Sequence, residues 1–185
     1  MTRLSPAAEE RAFDGLFREC ASDVHAYAIS LLGDRASAED VTALAFERLY
    51  RARARLDERR GTPRAWLFAI ARNAALDELR RRRRRPHYEL DDQGSDALDG
   101  NAACDAGGPE DALERVERRE TLRAALAALP LRERELVLLK FHGQLSNAEL
   151  ARAMGISESN AGTRLHRALT RLRDCCADLD RQEVA

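Results

Sequence analysis

Residues 136–173 read LVLLKFHGQLSNAELARAMGISESNAGTRLHRALTRLR, and their punctuation decides the fold. The stretch parses as a helix, a tight turn at Gly143, a short helix, a turn at Gly155-Ile156, and a long basic helix. Ser146 followed three residues later by Glu149 is a capping box, so the short helix has a defined start. Leu150 and Met154 share one face of it. Gly155 can take the positive φ that ends a helix, and Ile156 can then pack back onto it. Ser157 is suited to cap the last helix, with Glu158 beside the positive end of its dipole. Ala161, Leu165, Ala168 and Leu172 recur at i, i+4, i+7 and i+11, which marks a buried face. The opposite face carries Ser159, Thr163, Arg167 and Thr170, flanked by Asn160, Arg164 and Arg171. Hydroxyl, amide and guanidinium groups read base edges and grip phosphates. The pattern is that of a helix-turn-helix, whose last helix enters the major groove of DNA. A helical hairpin with a solvated basic face is the plainer reading. Agreement between two caps and both turns favours DNA.

Working outward, the 185 residues allow one or two small domains. Aromatic residues are 5% of the chain and charged residues 34%. Helical periodicity recurs and alternating strand patterns do not, so the expected class is all-α. No apolar run reaches membrane-spanning length and the N-terminus shows no signal pattern. Membrane insertion is therefore not expected, and the expected location is cytoplasmic. Cys20, Cys104, Cys175 and Cys176 lack metal-ligand spacing, and Cys20 falls on an apolar stripe as a small core residue. The four histidines are dispersed, and no nucleophile, metal or phosphate-loop pattern is present. No cofactor, metal or enzymatic activity is expected.

The net charge of −1 conceals a strong segregation. Residues 1–85 hold 18 Arg and 13 acids, residues 86–112 hold eight acids and no cation, and residues 113–185 hold 13 cations and 11 acids. Two basic segments thus flank an acidic one. The middle segment contains Pro86, Gly94, Gly100, Gly107, Gly108 and Pro109 and reads as a flexible acidic linker, kept extended by like charges. The expected organisation is an N-terminal helical domain over 1–85, a linker over 86–112, and a C-terminal helix-turn-helix domain over 113–185.

In the N-terminal segment, Phe13, Leu16, Phe17, Cys20 and Val24 form a helical stripe that Gly33-Asp34 interrupts. Ser37 is the expected cap of a second helix, in which Val41, Leu44, Ala45, Leu49 and Ala52 line one face and Phe46 and Tyr50 another. Gly61-Thr62-Pro63 marks a break. A third helix over about 63–83 is apolar on two sides, with Trp66, Leu67, Ile70, Ala71 and Ala74 on one and Phe68, Ala75 and Leu79 on the other. Trp66 is expected in the core. The helix ends in six consecutive Arg, Arg80 to Arg85, a density suited to a polyanion. Leu129-Pro130 breaks a further helix that Pro109 can open.

Taken together these segments resemble the bacterial RNA polymerase sigma factors of the small two-domain, extracytoplasmic-function (ECF) type. Three segments carry the resemblance. Ala38-Glu39-Asp40-Val41 through Phe46-Glu47-Arg48 is similar to the family's polymerase-binding helix. Arg64-Ala65-Trp66-Leu67 through Ile70-Ala71-Arg72-Asn73, then Leu76-Asp77 to Arg82, is similar to its promoter-melting segment. Leu129-Pro130, Arg134-Glu135, Ala148-Glu149-Leu150-Ala151, Met154-Gly155-Ile156-Ser157 and Arg164-Leu165-His166-Arg167-Ala168 are similar to its upstream-element domain.

The resemblance implies a factor that binds core RNA polymerase through its largest and second-largest subunits and directs promoter-specific initiation. Glu39, Asp40, Phe46 and Glu47 would contact the polymerase. Arg59, Arg60, Arg72, Asn73 and Arg80, Arg81, Arg82 and Arg83 would hold the downstream (−10) element, and Ser159, Asn160, Thr163, Arg164, Arg167 and Arg171 would read the upstream (−35) element. The linker would thread the polymerase RNA channel, and an anti-sigma factor is an implied partner. Two departures stand out. Asn160-Ala161-Gly162-Thr163 replaces the commoner Thr-Val-Lys-Ser, losing a cationic contact. Thr42-Ala43-Leu44-Ala45 lacks the usual Gln-Glu pair. The competing function is a helix-turn-helix transcription regulator acting on existing holoenzyme.

Overall fold

The computed structural model describes residues 6–53, 61–84 and 109–183. Among these residues every regular element is a helix: α1 (Pro6–Leu32), α2 (Arg35–Ala52), α3 (Pro63–Arg84), α4 (Pro109–Ala128), α5 (Leu131–Phe141), α6 (Asn147–Met154) and α7 (Glu158–Glu183). The acidic segment expected to be a linker lies largely outside the described residues, as do Arg59 and Arg60.

Helices α1, α2 and α3 form one bundle. The α1 stripe ends where Gly33 takes φ +68 and its amide donates to the Ile29 carbonyl. Helix α2 then starts three residues earlier than the Ser37 cap expected from sequence. Asp34 is the cap instead: its carboxylate accepts from the Ser37 amide at 2.9 Å. An ionised Asp so placed satisfies an orphan helix donor and favours the dipole, and the bonds from Ser37 hold its pKa below the usual range. Tyr27, Phe68, Leu67 and Leu49 are fully buried between the three helices. Tyr27 and Phe68 meet edge to face at 5.8 Å.

Helices α4 to α7 form the second bundle, with α7 packed on α4, α5 and α6. The α5–α6 turn is held by Lys140, which donates to the Leu145 carbonyl at 2.9 Å. Gly143 is required there by crowding, because a Cβ would run into the Leu139 carbonyl and press on Leu145 and Phe68. Both halves of the capping box are present at Ser146 and Glu149. Gly155 ends α6 at φ +67, and the Ile156 amide returns to the Ala151 carbonyl at 2.9 Å. The Ser157 hydroxyl accepts from the Asn160 amide at the start of α7. Ala161, Leu165 and Ala168 are buried, as their spacing requires.

The two bundles touch. α1 packs on α5 and α3 packs on α6, so buried residues of both join one apolar cluster. Phe68 of α3 therefore reaches Gly143 beyond the end of α5.

Candidate nucleic-acid interface

On α7, Ser159, Thr163 and Arg167 are exposed on the face opposite Ala161, Leu165 and Ala168, and Asn160 and Arg164 are half-buried at its edges. The Thr163 hydroxyl donates to the Ser159 carbonyl at 3.0 Å, leaving its lone pairs outward as acceptors. Arg171 is also exposed, but its Nη1 is held by both Glu133 oxygens at 2.7 and 2.8 Å. That pair fixes Arg171 against α5 and leaves it less available to a phosphate than Arg167. His166 is exposed between Thr163 and Arg167 on the same end of the helix. It borders this face by spacing, although it is not among the six α7 residues expected to read the upstream element. An added Cβ at Gly162 would sit 3.6 Å from the Asn147 amide nitrogen, an ordinary contact.

The candidates on α3 divide by environment. Asn73, Arg80, Arg81 and Arg83 are exposed. Arg80 pairs with Asp77 at 2.8 Å and Arg81 with Glu78 at 2.7 Å, both weak surface pairs one turn apart that a polyanion could replace. Arg82 is different. It donates to Glu78 at 3.2 Å, to the Leu32 carbonyl at 3.1 Å and to the Asp34 cap at 2.9 Å. One guanidinium thus ties α3 to the end of α1 and the start of α2, and its donors are already engaged.

Arg72 points away from the Arg run. Its side chain is 15% exposed, donating to Glu135 of α5 at 3.3 Å and to the Ala153 carbonyl of α6 at 3.2 Å. Trp66 packs partly buried against the core and lines a groove with Ala65, Ala69, Glu149, Arg152 and Ala153.

On α2, Glu39, Asp40 and Glu47 are exposed, with Glu39 paired to Arg35 at 3.0 Å and Glu47 to Arg51 at 2.6 Å. Phe46 is 5% exposed, so it is a core residue and not a free surface group. It packs on Phe17 at 4.7 Å and Phe13 at 6.2 Å, and Phe13 meets Tyr50 at 5.0 Å. Phe17 and Tyr50 carry the exposed rim of this aromatic cluster.

A capped helix with a polar and cationic outer face, beside a second bundle with a basic helix end, meets the requirements of a two-site DNA reader. Comparison with known proteins decides which kind. Residues 16–85 match the model for sigma-70 region 2, and residues 119–172 match that for sigma-70 region 4. The ECF RNA polymerase sigma factor SigL of Mycobacterium tuberculosis is 32% identical over 179 residues, covering 94% of each chain. This chain belongs to the ECF RNA polymerase sigma factors.

SigW of Bacillus subtilis, another ECF sigma factor, is 32% identical over 80% of each chain. Among solved structures, the sigma factor RpoE of Bartonella quintana, bound to the anti-sigma factor NepR, has the same fold, with a TM-score of 0.65 at 21% identity over 89% of this chain and 96% of that one. CnrH bound to the cytosolic domain of CnrY matches with a TM-score of 0.60 at 25% identity, over 92% of this chain and 89% of that one. As an ECF sigma factor the protein directs promoter-specific transcription initiation with RNA polymerase. The alternative of a regulator acting on existing holoenzyme is set aside by the two regions, matched in this order. No helix among the described residues is long and apolar enough to cross a membrane.

Proposed function

We propose a division of labour among the surfaces described above. The outer face of α7 reads the upstream element: Arg167, Arg164 and Asn160 supply donors, and Ser159 and Thr163 supply hydroxyls at the N-terminal end that enters the groove. The observation that carries this reading is the exposed Ser159–Thr163–Arg167 face set opposite the buried Ala161–Leu165–Ala168 stripe. Arg171, held by Glu133, serves mainly to fix α7 on α5.

The downstream element falls to α3. Asn73 and Arg72 suit capture of unstacked bases, and Arg80, Arg81 and Arg83 suit phosphates. Arg59 and Arg60, which lie outside the described residues, are further candidates for phosphate contact. Arg82, already bonded three ways, holds the domain together. The exposed acids Glu39, Asp40 and Glu47 on α2 would steer docking to basic surfaces of core polymerase, with Phe46 supporting the aromatic platform from beneath. The acidic segment 86–112 would lie in the RNA channel. The chain performs no catalysis itself, works in the cytoplasm where the polymerase is, and would be held in check by an anti-sigma factor, as RpoE is seen bound to the anti-sigma factor NepR.

The test is binding of reconstituted holoenzyme to a promoter library at several salt concentrations. Arg167→Ala should alter base preference in the upstream element, by about 1–3 kcal/mol at the position read. Neutralising Arg81 and Arg83 should weaken all promoters alike and flatten the salt dependence, since phosphate contacts carry no sequence information. Arg72→Ala should reduce promoter opening. A uniform loss from Arg167→Ala, with a changed preference from the α3 pair, would reverse the assignment.

A further inference from the structure

The outer face of α7 is charged unevenly. By helical spacing, one edge of that face carries Asn160 and Arg164, and the other carries Glu158, Gly162 and His166. Over residues 158–168 the second edge holds no Lys or Arg, and it begins on an exposed carboxylate. A helix lying in the major groove has a phosphate backbone along each side. Arg164 suits one of these walls. No Lys or Arg in the first three turns of α7 meets the other.

Helix α6 runs beside the edge that lacks cations, and the two helices pack together. The Asn147 side chain of α6 is exposed. Gly162, without a side chain, leaves a notch in α7 at the same level. A Cβ placed there would come within 3.6 Å of the Asn147 side-chain nitrogen, the one atom outside its local helix that it would meet within 4 Å. The space that a longer side chain at 162 would fill is therefore open to the Asn147 amide. Among the described residues no hydrogen bond takes up that amide, since the capping box joins Ser146 to Glu149 and passes it by. A primary amide donates to a phosphate oxygen without carrying charge. A cation on a phosphate releases a counterion, so its contribution weakens as salt rises, whereas that of a neutral donor does not.

We propose that Asn147 holds a backbone phosphate of the upstream element across the notch at Gly162, as a neutral clamp on the edge of the reading helix that lacks Lys and Arg. This rests on the reading of the α7 outer face as the upstream-element reader. The clamp seats α7 in the groove without adding salt-sensitive attraction to every DNA sequence, which leaves promoter choice to Ser159, Thr163 and Arg167.

The experiment uses holoenzyme reconstituted with core polymerase and measures binding to promoters varied in the upstream element, at several salt concentrations. Asn147→Ala should weaken binding to every promoter on the order of fivefold, the loss of one hydrogen bond, and leave the slope of log affinity against log salt unchanged. Asn147→Asp should weaken it further, by setting a carboxylate against the phosphate. Gly162→Lys puts a cation into the notch. It should steepen the slope by about one, and in the double variant it should restore the Asn147→Ala loss at low salt but not at high salt. Circular dichroism of each free chain checks that helix content is kept, as the exposure of Asn147 leads one to expect. Unchanged affinity of Asn147→Ala overturns the clamp. A preference shifted at one base pair overturns the phosphate contact, because it makes Asn147 a base reader, and a slope flattened by Asn147→Ala overturns the neutral contact. Arg167→Ala in the same library tests the α7 reading by itself. A shifted preference there, with no effect of Asn147→Ala, leaves the reader standing without the clamp, whereas no shift removes the reader.

Discussion

Two arginines of one run illustrate how position converts the same chemistry to different ends. Arg80 is exposed and bonded to its helix neighbour Asp77, whereas Arg82 clamps the Leu32 carbonyl and the Asp34 cap. Arg82→Ala should lower thermal stability by about 1–2 kcal/mol, since it removes hydrogen bonds to charged and main-chain partners that are partly screened by solvent. Arg80→Ala should leave stability unchanged and weaken DNA binding in salt-dependent fashion. Thermal unfolding of both variants checks this, and equal melting temperatures would return Arg82 to the DNA surface. From the sequence the two are indistinguishable, because the run gives composition but not the neighbour that each side chain meets. The same limit applies to Phe46. Its stripe with Tyr50 was legible, but only the packing of Phe13 and Phe17 over it shows that the ring is core.

At the scale of the element, α6 shows how local signals can be read far in advance. Ser146, Glu149 and Gly155 act within a few residues of each other, so the capping box and the left-handed terminus were visible without tertiary knowledge. What was not visible is that Glu149 also accepts from Thr62, 87 residues away. Partial burial pushes the Glu149 pKa upward, but the bonds from Ser146 and Thr62 outweigh it and bring the value from 4.5 down to about 2. A depressed carboxylate contributes stability that is present above the unfolded value and is lost as the folded value is crossed. Stability should therefore fall between pH 4.5 and about 2 through this group. Glu149→Gln should show a shallower fall across that window when denaturant midpoints are compared at successive pH values. Parallel profiles for the two proteins would mean that the carboxylate is not held as its bonds require. The start of α2 shows the opposite outcome of local reading. Asp34 and Ser37 are both good caps, and the chain uses the earlier one, because Gly33 has already turned the backbone and Arg82 meets the Asp34 carboxylate.

For the molecule as a whole, segregated charge and helical periodicity carried the all-α class and the helix-turn-helix, because both follow from local spacing. The contact between the bundles was not legible. Glu135 sits in a sequence rich in Arg and Glu, and nothing in its neighbours distinguishes a buried acid from a solvated one. Arg64 likewise reads as one more cation at a helix start, yet it bonds to two carbonyls of the other bundle. Long-range polar bridges have no periodicity, so sequence spacing does not register them. What spacing does register is the surface we propose as the promoter reader: a capped α7 with Arg167 and Thr163 outward, joined in one chain to the basic helix α3. Run-off transcription from a linear promoter with core polymerase tests this most directly. Core polymerase alone should give no defined transcript, and adding the chain should give one start site that depends on both the upstream and downstream elements. Transcripts that appear only with holoenzyme already carrying another sigma factor, or a start site indifferent to both elements, would contradict the account.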